Sequence, residues 1–136
     1  FQKNHDTLAV GLHAQTDANG ITTFDLRFKK PNAGDYITPK ALHTIEHLLA
    51  TVLRNSREKD NIVYFGPMGC RTGFYLLTLR LSYDEILSLL KECIPAALAL
   101  EEVPGAKREE CGNYLEHDLP EAKRELAAYL TVLEAL

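Results

Sequence analysis

Apolar and polar positions alternate most clearly over residues 21–30 (ITTFDLRFKK), where Thr22, Phe24, Leu26 and Phe28 face away from Thr23, Asp25, Arg27 and Lys29. A period of two over this length predicts a strand with one apolar face. Residues 7–15 (TLAVGLHAQ) also favour extended structure. The Asn19-Gly20 pair in Asp17-Ala18-Asn19-Gly20 signals a hairpin turn between the two runs. The period then changes. Thr38 suits an N-cap and Pro39 a first helical position, and Leu42, Ile45, Leu49, Val52 and Leu53 form an apolar stripe in a helix running to about Lys59. Residues 61–65 and 73–82 read as two more strands, joined by the loop Gly66-Pro67-Met68-Gly69-Cys70-Arg71-Thr72. Ser82 with Glu85 makes a capping box for a helix over about residues 83–102, which Pro95 is expected to kink or break. Beyond Pro104-Gly105 lies a short segment containing Cys111-Gly112-Asn113. Asp118 with Glu121 then caps a final helix of about residues 120–134. The order ββαββα(α) predicts an α+β fold, an antiparallel β-sheet with helices packed on one face, in a single domain over residues 1–136.

Composition narrows the class. At 136 residues, 46% apolar and 25% charged, the chain has ordinary globular usage and can bury a core without disulfide staples. A net charge of −4 with scattered lysines and arginines gives no basic footprint, so no nucleic acid partner is expected. No apolar run approaches the length of a membrane span, and cytoplasmic residence is the expectation. Three cysteines cannot all pair within one chain, and in the cytosol thiols stay reduced, so each needs its own explanation. The chain opens at Phe1 rather than methionine, and a short N-terminal piece is expected to be missing.

The candidate chemistry begins with His43-Thr44-Ile45-Glu46-His47. At 100° per residue, His47 stands about 40° around the helix from His43 and one turn along, so both imidazoles can reach one ion. Glu46 lies about 60° to the other side of His43, placed to act on something the metal holds without binding the metal. HxxEH is also the inverted zinc-protease signature, which needs a carboxylate as third ligand. A closed structural site is a second alternative, with His117 or His13 as the candidate fourth ligand. Cys70, in the Pro/Gly-rich loop, has Arg71 beside it to favour a thiolate. Cys111 would complete a His₂Cys set with one open position, a catalytic arrangement that favours zinc, iron or cobalt over magnesium. Cys93 falls beside Leu89, Leu90 and Ala97 and reads as core. Arg27 lies on the strand face with Asp25 and Lys29, where simple surface charge is an equal alternative to a binding role.

Several motifs occur together and in order: Phe1-x-x-x-His5-Asp6, Phe24-Asp25-Leu26-Arg27-Phe28, His43 to His47, Pro67 to Tyr75, Cys111-Gly112-Asn113 and His117-Asp118-Leu119. In this combination the chain resembles the LuxS family of S-ribosylhomocysteine lyases over essentially its whole length. The resemblance implies His43, His47 and Cys111 as metal ligands, Glu46 and Cys70 as acid/base residues, and His5 and Arg27 as substrate-binding residues. It also implies one divalent metal per subunit, with Fe²⁺ as the physiological ion and Zn²⁺ or Co²⁺ possible. The implied assembly is a homodimer with active sites at the interface, and family members have residues before Phe1 that help complete the pocket. The implied reaction cleaves S-ribosylhomocysteine to homocysteine and 4,5-dihydroxy-2,3-pentanedione, the autoinducer-2 precursor, in quorum sensing and the activated methyl cycle.

Overall fold

The computed structural model describes residues 3–17 and 19–136. Phe1, from the N-terminal motif, and Ala18, from the expected hairpin turn, lie outside them. Four strands, β1 (Gly11–Thr16), β2 (Ile21–Arg27), β3 (Ile62–Pro67) and β4 (Gly73–Leu79), form one antiparallel sheet in the order β1-β2-β4-β3. Three helices, α1 (Pro39–Arg54), α2 (Tyr83–Leu98) and α3 (Leu119–Glu134), complete the α+β domain. The alternation seen in the sequence decides which face of the sheet they cover. Phe24, Leu26, Phe65, Phe74 and Leu76 share a core with Ile45, Leu48 and Leu49 of α1, Ile86 and Leu90 of α2, and Leu126 of α3.

Local chemistry sets where elements stop. The β1–β2 turn is organised by Asp17, whose Oδ1 accepts from the Asn19 and Ile21 amides at 2.8 and 3.1 Å, with Gly20 at φ 82°. Helix α1 starts at the expected Thr38 cap but ends at Arg54 rather than Lys59. Asn55 Nδ2 donates to the Thr51 carbonyl at 2.7 Å and Ser56 Oγ to that of Leu53 at 2.7 Å, so two polar side chains close the last turn. A single 3₁₀ turn, Lys59–Asn61, leads into β3. Helix α2 opens on the expected Ser82–Glu85 capping box. Pro95 neither splits it nor leaves it running to residue 102: it sits in the last turn, and the helix ends at Leu98.

One close approach positions the chemistry below. Gly73 faces Arg27 across the β2–β4 ladder, and a Cβ there would press on the Leu26 carbonyl and stand 3.2 Å from the Arg27 Cα. Only glycine lets the end of the β3–β4 loop sit this tightly against β2.

Candidate metal centre and active site

His43 and His47 project from α1 toward the irregular segment between α2 and α3. Their Nε2 atoms lie 3.0 Å apart, and the Cys111 sulfur is 3.5 and 3.8 Å from them. The opposite nitrogens are both committed. His43 Nδ1 is 2.8 Å from the Glu116 carbonyl and His47 Nδ1 is 2.9 Å from that of Pro104. A carbonyl only accepts, so each Nδ1 carries a proton and Nε2 is the ring atom turned toward the shared centre. Two imidazole nitrogens and a sulfur converging at these distances form a donor set that one cation can share. Metal–nitrogen bonds of about 2.0–2.1 Å and metal–sulfur bonds of about 2.3 Å in a tetrahedron give donor–donor edges of roughly 3.3–3.6 Å. The triangle fits a metal, and its two carbonyls supply the outer hydrogen bonds that orient ligand histidines.

His117 is the fourth member of the group, whose donor atoms all lie within 4.8 Å of one another. Its ring stacks on His43 at 4.2 Å and 23°. Its Nδ1 is 2.9 Å from Thr44 Oγ1, and Thr44 spends its only proton on the Lys40 carbonyl at 2.9 Å. His117 Nδ1 is therefore the donor, and its buried Nε2 is a lone pair without a hydrogen-bond partner among the described residues. Burial, then the neighbouring His43 and His47, push the His117 pKa down and keep the ring neutral. The third donor of the tight triangle is a thiol rather than the carboxylate an inverted zinc protease requires, and His117 brings a fourth donor within 4.8 Å of the others.

Glu46 borders the same centre. It lines a cavity of about 320 Å³ with His43, Pro67 and Asn113, and a second of about 360 Å³ with His47 and Glu110.

Cys70 belongs to a second constellation. Its loop is pinned by Met68 N to the Gly73 carbonyl and Arg71 N to the Met68 carbonyl, both 3.0 Å, with Arg71 at φ 60°. The Cys70 sulfur is 3.0 Å from Thr72 Oγ1, which accepts from Arg27 Nη1 at 2.7 Å. Arg27 in turn holds Asp25 with Nε at 3.1 Å and Nη2 at 2.6 Å, and Lys3 reaches Asp25 at 2.9 Å. His5 lies in the same N-terminal segment, its Nδ1 3.2 Å from the Lys3 carbonyl.

Two expectations need correcting. Arg27 is not surface charge: it is 1% exposed and Asp25 is 0% exposed. Arg71 is not the cation beside Cys70; its guanidinium donates to the Ile37 carbonyl at 3.1 Å and stacks over Tyr36, while the charge acting on the Cys70 thiol is that of Arg27. The partnerships of Thr72, Asp25 and Thr44 were not legible in the sequence, because a threonine or aspartate carries no signal until its partner is known. The rule that buried charges must be paired could have flagged Asp25 and Arg27, two residues apart on one strand face.

The family model for S-ribosylhomocysteinase (LuxS) matches residues 1–135. The S-ribosylhomocysteine lyase of Phocaeicola vulgatus is 47% identical over 137 residues, covering 96% of this chain and 85% of the relative. That of Borreliella afzelii is 43% identical over 141 residues, with 98% and 89% covered, and that of Porphyromonas gingivalis (strain ATCC 33277) is 46% identical over 138 residues, with 96% and 86% covered. Matches of this extent, on a chain whose fold brings His43, His47 and Cys111 into one triangle, establish that the chain belongs to the LuxS family of S-ribosylhomocysteine lyases.

Proposed function

We propose that this chain cleaves S-ribosylhomocysteine to homocysteine and 4,5-dihydroxy-2,3-pentanedione, with His43, His47 and Cys111 as metal ligands and Glu46 and Cys70 as the acid/base pair. The observation that carries the reading is the His43–His47–Cys111 triangle, with both histidines locked as Nε2 donors. A divalent metal bound there supplies Lewis acidity to the substrate carbonyl. Fe²⁺ is our choice for the physiological ion, with Zn²⁺ or Co²⁺ as substitutes that the same thiolate–imidazole set accepts.

The substrate chemistry explains why two proton carriers are needed. The ribose aldehyde carbonyl must move from C1 to C2 and then to C3. The proton on C4 is then acidic, and its removal expels the homocysteine thiolate from C5. Each shift takes a proton from the carbon beside a carbonyl and returns one at a neighbouring atom. Cys70, ionised, removes and restores protons on one side of the sugar; Glu46 does so on the other. Arg27 and His5 orient the ribose and the homocysteine tail. Anaerobic, metal-loaded protein incubated with S-ribosylhomocysteine should release free homocysteine, measured with a thiol reagent; no release would overturn the assignment. Glu46→Gln should retain its metal and lose about 10²-fold or more in kcat. An unchanged kcat would remove Glu46 from the reaction.

We also infer a homodimer with active sites at the interface. Val63 and Tyr64 are 48% and 47% exposed on β3, and Tyr64, Tyr75 and Leu77 line a groove of about 560 Å³ with Thr23 and Gln15 of the adjoining strands. Apolar surface of this kind is usually covered by a partner. Sedimentation at micromolar concentration should give twice the chain mass; a monomer there would sink this inference. Among the described residues no helix is long and apolar enough to cross a membrane, and three free cysteines suit the cytoplasm as the working compartment.

A further inference from the structure

We propose that Thr72 is a positioning residue for Cys70: its hydroxyl, polarised by the buried Arg27 guanidinium, aims its proton at the Cys70 sulfur and holds that sulfur as a thiolate between proton transfers. The proposal rests on the reading of Cys70 as an acid/base residue.

The hydroxyl has one proton and two lone pairs. Arg27 Nη1, donating at 2.7 Å, fills one lone pair, and the sulfur lies 3.0 Å away on another side. A hydroxyl that accepts from a cation is a stronger donor, because hydrogen bonds in a chain polarise one another. Thr72 cannot easily turn elsewhere. It is 1% exposed, and its carbonyl accepts from the amides of both Phe28 and Lys29 at 2.9 Å, which fixes its backbone against the end of β2. The same hydroxyl serves both forms of Cys70: it donates to the thiolate, and its second lone pair accepts from the S–H.

The charges behind it are ordered for this task. Asp25 alone would cancel Arg27, but Lys3 bonds Asp25 from the N-terminal segment, so the array presents a net positive charge to the sulfur. Tyr75 on β4 is the other titratable group near Cys70. Burial, and then Asp25, push its phenol up, so it remains neutral. Partial desolvation pushes the Cys70 thiol pKa up. The Thr72 hydroxyl, the Thr72 amide and the Arg27 charge outweigh that and leave it below the ordinary thiol value. Below that pKa the sulfur is protonated and cannot act as the first base; above it the thiolate is available.

The test reads Cys70 directly. In the metal-loaded protein, alkylation of Cys70 by iodoacetamide is followed against pH on the Cys70 peptide by mass spectrometry. Thr72→Val and Thr72→Ala should both raise the inflection by about one pH unit, while Thr72→Ser should restore the wild-type value. The acid limb of kcat/KM should move with it. Thermal melting identifies which variants are folded. A folded valine or alanine variant with a wild-type inflection would overturn the proposal, as would a serine variant displaced as far as the valine one. Because alkylation is read on the sulfur and not through turnover, it tests Thr72 separately from the catalytic reading, which the activity of Cys70→Ala decides.

Discussion

Cys70→Ala is expected to stop homocysteine release while leaving the metal content at the wild-type level. The two constellations are held by different parts of the chain. The Cys70 sulfur engages Thr72, and through it Arg27 and Asp25, on the β3–β4 loop and β2. The metal triangle is set by α1 and the segment leading to α3. Removing the thiol should therefore withdraw the proposed proton carrier without disturbing His43, His47 or Cys111. A positioned acid/base group contributes about 10²–10⁴-fold to a single proton transfer. A route of two carbonyl shifts and an elimination uses such a group more than once, so the loss should lie at or beyond the upper end of that range. Elemental analysis alongside a discontinuous thiol assay separates the outcomes; normal turnover by Cys70→Ala would end its catalytic assignment.

His47→Ala and Cys111→Ala should fail at an earlier stage, by losing the metal. Either change leaves two donors of the triangle, and His47→Ala also frees the Pro104 carbonyl that had fixed the imidazole. Loss of an outer hydrogen bond alone typically weakens metal affinity about 10–100-fold. Deleting a ligand should cost more, and the purified variants should carry well under half of one metal per chain by elemental analysis. Full occupancy in either would refute the ligand set. Helical circular dichroism should stay near wild type, since the core of Ile45, Leu48 and Leu49 lies elsewhere on α1. The expected contrast is diagnostic: Cys70→Ala should be metal-replete and inactive, and the ligand variants should be inactive because they are metal-poor.

Much of this could be read from the sequence because it is local. Alternation in residues 21–27 gave the strand and its buried face, and Thr38, Ser82 and Asp118 marked three helix starts through side-chain bonds within three residues. The i, i+4 spacing put His43 and His47 side by side because helix geometry alone brings them together. What stayed hidden depends on partners far along the chain. The Glu116 and Pro104 carbonyls that orient the two rings lie 73 and 57 residues away, in a segment with no periodic pattern. Arg71 looked like the partner of Cys70 because it is adjacent in sequence. The left-handed backbone at Arg71 turns its side chain to Ile37, and strand pairing delivers Arg27 in its place.

The distribution of the three thiols decides how such an enzyme ages. Cys70 is exposed and ionises readily, the two properties that make a sulfur vulnerable to peroxide. A sulfenic acid formed there is rescued only if a second thiol traps it as a disulfide. Cys93 is buried on α2, its thiol pushed up to about 11, and Cys111 is committed to the metal triangle. With neither placed to respond, sustained peroxide exposure is expected to carry Cys70 from sulfenic to sulfinic acid wherever no external thiol intervenes, a step that ordinary reductants do not reverse. The ionisation proposed to make this sulfur useful should thus also limit the protein's lifetime in air, with each lost molecule carrying two extra oxygen atoms on one loop.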